Sequence, residues 1–466
     1  MTSQQSRALA IVLAAILAPA TACDQAPKST PRGAMSATQA TGSAGGAAAV
    51  KRTAPAAAKA AAPAIKAGRG VDLATKTVRI GALTDESGPA AVIGKPYAVG
   101  KRILAAQVNA GGSGLLPEGW KVELVEKDHG YNPGKSEQAY KEIKDNVLFL
   151  GHSFGTPNTL PLLPYLKSDN VVAFPASLSS EMAANTHTPP AGPSYVIEAM
   201  RGMDYVVEAA GGADKVKAAV VADQTDYGKD GVKGWKAAAA HHKVNVVAEQ
   251  TVAPGQKDFT AVVAALKNAG ATHVLLTILP SSTGPLLGTA AKMGYAPVWL
   301  GNTPSWIDAF FAHPKLPAPV FANFHWLNGM SYWGEDVPGM AAFLEAFKAH
   351  APKGTRPDFY VLVSYAQGLI EMQALSNAIE SKDVTPAGFL AGVQAIKGYD
   401  ANGMFQPVDL TAVPYVVSTR ARVLKPDFTA KTWAVASNYD TPAAHGGAVA
   451  AVVAPAAAPA AEKATD

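Results

Sequence analysis

The feature that most constrains the fold of this chain is a regular alternation of short apolar runs with longer amphipathic segments between residues 77 and about 439. Residues 78–83 and 122–126 read as strands, and residues 97–109 between them carry apolar side chains at helical spacing. Strands that alternate with helices of about ten to fifteen residues predict βαβ units and mostly parallel sheets. The series restarts after a loop near residues 185–200, and a single core rarely extends over so long a segment. We therefore predict an α/β fold with two doubly wound parallel-sheet lobes.

The N-terminus predicts export from the cytoplasm. Arg7 is followed by an apolar stretch at 8–18 and then by Cys23, the only cysteine of the chain. This is the layout of a secretory signal, and its cysteine makes it resemble a bacterial lipoprotein signal in which the thiol is acylated. The stretch is too short to cross a bilayer of about 30 Å. We predict a signal peptide at 1–23 and an extracytoplasmic protein anchored by lipid at Cys23, while an ordinary signal followed by an incidental cysteine stays open.

The two ends of the chain differ in composition from the segment between them. Residues 24–76 and 440–466 are rich in Ala with Pro, Gly or Lys and contain few large apolar side chains, so we expect a disordered tether and a disordered tail. Residues 1–76 hold nine basic and two acidic residues, a net charge of +7, which leaves −3 for residues 77–466. A mildly acidic folded part argues against nucleic-acid binding. The basic tether suits either an anionic membrane surface or a solvated linker.

Several motifs in order resemble one family. The sequence VRIGALTDESGPAAVIGKPYAVGKRILAAQVNAGG, the acidic KVELVEKDHGYNPGKSEQAYKEI, the Ser-rich VVAFPASLSSEMA and VVADQTDYGKDGVKGWKAA follow one another along the chain. Together they resemble the extracytoplasmic solute-binding proteins of the leucine/isoleucine/valine-binding type, which serve ABC transporters. The resemblance implies two lobes joined by a three-segment hinge that close on a ligand between them. It also implies lobe boundaries of 77–198 with 328–380, and of 199–327 with 381–439.

Two loops of the first lobe are the predicted carboxylate-binding side of this cleft. In open α/β sheets, ligands bind beyond the carboxyl ends of the strands. The loop after residues 147–150 contributes Ser153 and Thr156, whose hydroxyls and neighbouring N–H groups suit an anion. The next strand ends at Ala176, Ser177 and Leu178, where the resemblance implies a backbone carbonyl and a threonine. Leu178 in place of that threonine leaves only an N–H group.

The second lobe contributes residues that the resemblance places over the ligand. Tyr227, in an Asp-Tyr-Gly turn, is expected to close over the solute. Ser281 stands in a loop where the family often has a tyrosine, and Asn302 precedes Thr303 after the strand at 298–300. Trp326, at the third crossing between the lobes, is predicted to pack either on an apolar ligand or in the core of the hinge. Tyr131 is a further aromatic candidate.

Thr303 departs from the family pattern, in which a carboxylate at this position faces the ammonium group of an amino acid. A threonine does not balance a buried positive charge, and burying an unpaired charge is costly. The sequence therefore favours a solute other than a zwitterionic amino acid. Alternatively, Asp85 or Glu86 in the first loop replaces the missing carboxylate.

A competing motif is Gly151-His152-Ser153-Phe154-Gly155, because Gly-x-Ser-x-Gly after a strand is typical of the nucleophile elbow of α/β-hydrolases. An elbow requires a helix directly behind the serine, together with a histidine and an acid that activate it. Pro161 and Pro164 lie in the segment that would form this helix, and proline interrupts the hydrogen bonds of a helix. A secreted serine hydrolase that uses Ser153 is therefore the less favoured alternative.

The predicted function is capture of a small amphipathic solute, such as an amino acid-like molecule, an amide or a carboxylate, and its delivery to an ABC permease. A receptor of the same fold that senses its ligand without transport is a second alternative. The sequence indicates no enzyme, cofactor or metal site, since its histidines show no ligand spacing. We expect a monomer.

Overall fold

Two β-sheets organise the part of the chain that the computed structural model describes, residues 64–415 and 417–446. The first sheet consists of Val71–Asp72, Thr77–Thr84, Lys121–Asp128, Phe149–Phe154 and Ala173–Ala176. The second sheet has the spatial order Thr432–Asp440, Ala421–Asp427, Phe324–Asn328, Val298–Gly301, His273–Thr277, Lys217–Asp223 and Asn245–Val252. Two pairs of short strands complete the set, namely Lys66–Ala67 with Asp383–Val384 and Lys397–Tyr399 with Val408–Asp409.

Both sheets are mostly parallel, as the alternating pattern predicts. Thr77–Thr84 pairs in parallel with both Lys121–Asp128 and Phe149–Phe154. In the second sheet the five strands from Phe324–Asn328 to Asn245–Val252 are parallel, and the last two strands of the chain add to one edge in antiparallel fashion. Because parallel strands need long crossover connections, helices cover both sheets, and the predicted α/β class with two lobes is confirmed.

The helices divide between the two sheets. Those of the first lobe are Ala91–Ala110, Pro133–Ile143, Thr156–Thr159, Leu163–Asp169, Met340–His350, Phe359–Glu380 and Pro386–Gln394. Those of the second lobe are Tyr195–Ala210, Asp226–His242, Thr260–Asn268 and Pro280–Lys292, and Ser180–Ala183 lies on the connection between the lobes. Short 3₁₀ turns occur at Leu160–Leu162, Ala213–Lys215, Thr303–Ser305, Asp308–Ala312 and Ala318–Phe321.

Local sequence signals set several helix ends. Ser194 caps Tyr195–Ala210 by accepting a hydrogen bond from the N–H group of Ile197, and Gly211, with φ of 71°, ends the helix. Asp358 caps Phe359–Glu380 in the same way through the N–H group of Tyr360. Around the prolines at 161 and 164 the chain forms only short helical pieces. The long helix that an elbow serine needs is therefore absent there.

The folded body extends further at both ends than the composition predicts. The guanidinium of Arg69 donates a hydrogen bond of 2.7 Å to the carbonyl of Asp169, and Val71–Asp72 belongs to the first sheet. At the other end, the N–H group of Ala443 donates to the Asp204 carboxylate at 2.8 Å. The prediction of disorder is therefore wrong for residues 64–76 and 440–446. The predicted signal segment, Cys23, the tether at 24–63 and the tail at 447–466 lie outside the described residues.

The chain passes between the lobes three times. The passages lie between Ala173–Ala176 and Tyr195–Ala210, between Phe324–Asn328 and Met340–His350, and between Pro386–Gln394 and Ala421–Asp427. Phe389 stacks on Phe149 with ring centroids 4.1 Å apart and planes within 10°. This contact places Pro386–Gln394 on the first lobe, so the expectation that all of 381–439 belongs to the second lobe is wrong for that helix.

Within the described ranges, we find no helix that combines the length and the apolar character required to cross a membrane.

Candidate functional site

A small cavity of about 60 Å³ is lined by loops that follow strands of both sheets. Thr156 follows Phe149–Phe154 in the first lobe, and Thr303 follows Val298–Gly301 in the second. This is the place where open parallel sheets bind ligands. Residues from both lobes therefore form its walls.

Aromatic side chains dominate these walls. Five tyrosines and two phenylalanines line the cavity, namely Tyr97, Tyr131, Tyr195, Tyr227, Tyr360, Phe154 and Phe359. Leu178, Leu279 and Met330 add aliphatic surface, and the remaining polar side chains are Thr156, Ser177, Thr303 and Gln367. Among the described residues, no charged side chain lines the cavity. The site thus offers an apolar enclosure with a few fixed hydrogen-bonding groups.

Six of the predicted site residues line this cavity: Thr156, Ala176, Ser177, Leu178, Tyr227 and Thr303. The hydroxyl oxygens of Thr156 and Ser177 lie 2.7 Å apart and share a hydrogen bond, and the Ser177 oxygen also accepts the N–H of Ser179 at 3.2 Å. The carbonyl of Ala176 accepts the N–H of Gly155 at 3.2 Å. The structure therefore brings the two predicted first-lobe loops together into one polar corner.

Tyr227 forms part of the opposite wall. Its ring meets that of Tyr195 edge to face, with centroids 4.7 Å apart, and its hydroxyl lies 3.4 Å from the carbonyl of Ile278. The ring is 2% exposed, so its faces contact protein and cavity rather than solvent. Tyr227 thus lines the cavity, and its role in covering a solute stays a prediction.

Four predicted site residues lie outside the lining. Ser281 is in the first turn of Pro280–Lys292, and its hydroxyl has no hydrogen-bond partner among the described residues. Asn302 lies behind Thr303 and donates to Glu198 at 3.0 Å. Trp326 donates from Nε1 to the Thr303 carbonyl at 3.0 Å and stacks on Trp433. Trp326 therefore takes the hinge-core role that the sequence left as one of two possibilities.

Ser153, the fourth of these residues, is not placed as a nucleophile. It lies within the strand Phe149–Phe154, 1% exposed, and its hydroxyl oxygen is 2.8 Å from that of Thr159. A Cβ atom at Gly151 would come within 2.6 Å of the Glu371 carboxylate, and Gly155 has φ of 88°. Packing and backbone conformation thus account for both glycines of the motif. In the described structure the serine has a threonine as its partner, where an elbow requires an imidazole.

The two acidic residues proposed as substitutes for the missing carboxylate serve other contacts. Asp85 accepts the N–H groups of Gly88 and Ala90, at 2.6 and 3.0 Å, which fixes the loop before the first helix. Glu86 pairs with Arg102 at 2.7 Å. Neither residue lines the cavity.

A carboxylate that the sequence analysis did not identify lies directly behind Thr303. Glu198, in the first turn of Tyr195–Ala210, is 0% exposed and accepts the Thr303 N–H at 2.9 Å as well as the Thr303 hydroxyl. Burial raises the pKa of Glu198 to about 7, although these hydrogen bonds oppose the shift. Its position in an amphipathic helix gives no signal in the sequence, because a glutamate there usually faces water.

Polar pairs between the helices Ala91–Ala110 and Phe359–Glu380 support the first-lobe wall of the cavity. The Tyr97 hydroxyl donates to the side-chain carbonyl of Gln367, whose amide donates to the Pro175 carbonyl at 2.9 Å. One turn further along both helices, Lys101 pairs with Glu371, and both side chains are buried. Burial lowers the pKa of Lys101 and raises that of Glu371 to about 7. These pairs fix the ring and the amide that face the cavity.

Comparison with known proteins identifies the family of this chain. Residues 77–454 match the model of a family described as periplasmic binding protein. An amino acid binding protein of Pseudomonas aeruginosa is 24% identical over 352 residues, which is 73% of this chain and 89% of the relative. A Leu/Ile/Val-binding protein homolog of Brucella abortus is 24% identical over 318 residues, or 65% of this chain and 78% of the relative.

A solved structure shows the same fold. The fatty acid ABC transporter substrate-binding protein from Thermomonospora curvata superposes with a TM-score of 0.75 at 24% identity. The alignment covers 82% of this chain and 96% of that protein.

Proposed function

Because this chain belongs to the periplasmic binding protein family, we propose that it captures a small amphipathic solute between its lobes and delivers it to an ABC permease. The observation that carries the choice of solute is the cavity itself, with its aromatic walls, its hydroxyl corner and its lack of charged lining residues among those described. Pockets of this kind bind an apolar body and orient it through a few polar groups.

The first lobe supplies a polar end for the solute. The linked hydroxyls of Thr156 and Ser177 form a corner beside the apolar side chains of Phe154 and Leu178. A carbonyl, amide or carboxylate oxygen fits this corner, while aliphatic or aromatic groups fit the tyrosine-rich remainder. The names of the relatives, which include amino acid and fatty acid binders, agree with solutes that have one polar and one apolar end.

Capture in this account depends on the movement of one lobe against the other. A solute that touches both Thr156 and Tyr227 stabilises the closed arrangement, because an open arrangement separates those contacts. The closed form is then the one offered to the permease. No chemical step is required.

The family works outside the cytoplasm, and the proposed anchor is a lipid on Cys23 at the end of the apolar stretch 8–18. The segment at 24–63, rich in Ala, Pro and Lys, is long enough to connect that anchor to the folded body.

A thermal-shift screen tests the proposal. The full chain, unfolded and refolded to remove carried-over solute, is heated with leucine, phenylalanine, 4-methylpentanoate, 3-phenylpropanoate, octanoate, acetamide and urea. A ligand at a concentration one hundred times its Kd stabilises the native state by about 2.7 kcal/mol, which raises the melting temperature by several degrees. We expect at least one amphipathic compound to do so. A melting temperature unchanged by all seven compounds would contradict the proposal.

A further inference from the structure

The hydrogen bonds of Thr303 set the polarity of one wall of the cavity. Its hydroxyl group donates to the buried carboxylate of Glu198, which also accepts the Thr303 N–H at 2.9 Å and the side-chain amide of Asn302 at 3.0 Å. A hydroxyl group has one proton. Once that proton is given to Glu198, only the lone pairs of the Thr303 oxygen remain for a solute.

The surrounding groups add no donor at this point. The Thr303 carbonyl accepts Nε1 of Trp326 at 3.0 Å and the Tyr360 hydroxyl at 2.9 Å, so the Tyr360 proton is also engaged. The next residue, Pro304, lines the cavity and has no N–H group. This wall therefore presents acceptors.

The polar corner formed by Thr156 and Ser177, on the first lobe, can donate a hydrogen bond to a solute. The hydroxyls of Thr156 and Ser177 share one hydrogen bond, and the Ser177 oxygen accepts the Ser179 N–H. The Ser177 hydroxyl also bonds that of Tyr195, so these three hydroxyls have three protons for the two hydrogen bonds between them, and one proton remains available. The cavity thus has a donor on the first lobe and an acceptor on the second.

We propose that Glu198 is a positioning residue for solute selection: it makes Thr303 an obligatory acceptor, so that the solute must present an N–H group of an amine or amide to Thr303. This inference rests on the proposed function, and it names the chemistry that the solute needs at its second polar point. The solute's carbonyl or carboxylate oxygen meets the Thr156–Ser177 corner. Glu198 lies behind Thr303 as seen from the cavity and thereby supplies the negative charge that Thr303 lacks.

The charge of Glu198 also links binding to pH. The titratable groups around it are Asp230 and Tyr227 on Asp226–His242, Tyr195 on its own helix and Tyr360 on Phe359–Glu380. Its pKa is raised to about 7, mainly by burial and to a smaller extent by the nearby Asp230 carboxylate, against the hydrogen bonds from Thr303 and Asn302. An ammonium group in the cavity favours the ionised carboxylate, so the amine should bind more tightly as pH rises toward 8. The limiting slope for one proton is about tenfold per pH unit.

Calorimetric titration of the refolded full chain with two matched pairs tests the inference. Leucine and 4-methylpentanoate differ by one amino group, as do phenylalanine and 3-phenylpropanoate. At pH 8 we expect the affinity for the better-bound amine to exceed the affinity for its amine-free partner by at least about tenfold, an effect of about 1.4 kcal/mol. Thr303→Val should abolish this preference, and Thr303→Ser, which retains the hydroxyl, should keep it.

Glu198→Gln separates positioning from simple packing. It should weaken binding of the amine and remove the difference in its affinity between pH 5.5 and pH 8. Thr188→Val is the matched control, since Thr188 is a buried threonine whose hydroxyl bonds the carbonyl of Met182, and neither residue lines the cavity. This variant should bind as the wild type does.

Two results overturn the inference in different ways. If the amine-free acids bind as tightly as the amines to the wild-type protein, the inference fails and the proposed function stands. If none of these four compounds binds, and no other compound of the thermal-shift panel binds either, both the inference and the proposed function fail.

Discussion

The carboxylate of Asp308, in the second lobe, accepts a hydrogen bond of 2.7 Å from the backbone N–H of Phe359, the first residue of a first-lobe helix. The neighbouring Tyr360 hydroxyl donates to the carbonyls of Thr303 and Trp306, at 2.9 and 3.0 Å. These contacts join the lobes directly beside the cavity. If the lobes move as proposed, these contacts hold the closed arrangement in part, and a solute has to supply only the rest.

Tyr360→Phe should shift the protein toward the open arrangement. The change removes the hydroxyl proton that the carbonyls of Thr303 and Trp306 share and keeps the ring in the cavity wall, a loss of about 1 kcal/mol in the contact between the lobes. We expect a larger radius of gyration in small-angle X-ray scattering of the solute-free protein, and a solute affinity lower by about fivefold. Tyr365→Phe is the control, because Tyr365 bonds Gln107 within the first lobe. Equal radii of gyration for the two variants would show that the Tyr360 hydroxyl does not help to hold the lobes together.

Lys101→Met should strongly destabilise the protein. It leaves Glu371 buried without its partner, and the loss of one member of a buried ion pair costs about 3–5 kcal/mol. Urea denaturation measures the effect. The double variant Lys101→Met/Glu371→Leu should recover most of the lost stability, since apolar replacement of both partners removes the uncompensated charge. A double variant no more stable than Lys101→Met alone would show that the pair is not what the mutation disturbs.

Glu198 should make stability depend on pH in a direction opposite to that of an ion-paired carboxylate. Its pKa is about 7 in the folded protein, against an ordinary value of 4.5, so the folded state holds a proton that the unfolded state releases between these values. The stabilisation by this group is complete below pH 4.5 and is lost as pH rises to about 7.

Glu198→Gln tests this pH dependence, because glutamine is neutral throughout. The free energy of unfolding of the variant, taken relative to that of the wild type, should be higher at pH 8 than at pH 5 by an amount on the order of 1 kcal/mol or more. Urea denaturation at the two pH values measures this difference. A relative stability that does not change with pH would mean that Glu198 is ionised over the whole range.

Ser153→Ala should leave solute binding unchanged. The substitution removes a buried hydrogen bond to Thr159, which costs about 1 kcal/mol of stability, and touches no lining residue that carries the solute contacts. Hydrolysis of p-nitrophenyl acetate by the wild type should equal that by the variant. A rate that falls to the buffer background only in Ser153→Ala would restore the hydrolase alternative.

Cys23→Ser should release the protein from membranes into the soluble fraction. The thiol is the only acceptor for a lipid of this type, because the chain has no other cysteine. Fractionation of cells, with palmitate labelling of both forms, measures the change. If the serine variant stays with the membrane, the anchor is something other than this lipid.

The sequence predicted the architecture because it is encoded locally. Each βα unit carries its own apolar periodicity, and the loops after the strands follow from it, so Thr156, Leu178, Tyr227 and Thr303 could be assigned to one site before the fold was known. Ser153 was wrongly assigned to the cavity lining, because it lies within its strand and its side chain packs toward Thr159.

What the sequence could not predict depends on contacts between distant segments. Glu198 and Thr303 are separated by 105 positions, and nothing in the helix marks that glutamate as buried. Likewise, Pro386–Gln394 belongs to the first lobe only through Phe389 and its neighbours. The antiparallel strands at the end of the chain were missed because their pattern is short and mixed with charged residues.

Binding of one solute in the cavity between the lobes can be tested by titration of a cavity-filling variant. Ala176 lines the cavity at the end of its strand and is only partly buried, so Ala176→Phe should fill the space and leave the fold intact. The measurement is isothermal titration of wild type and Ala176→Phe with the compound that stabilises the wild type most among the seven tested. We expect one solute per chain for the wild type and no measurable binding for the variant, with similar melting temperatures for the two solute-free proteins. Binding of equal affinity to both proteins would place the solute elsewhere and contradict the account.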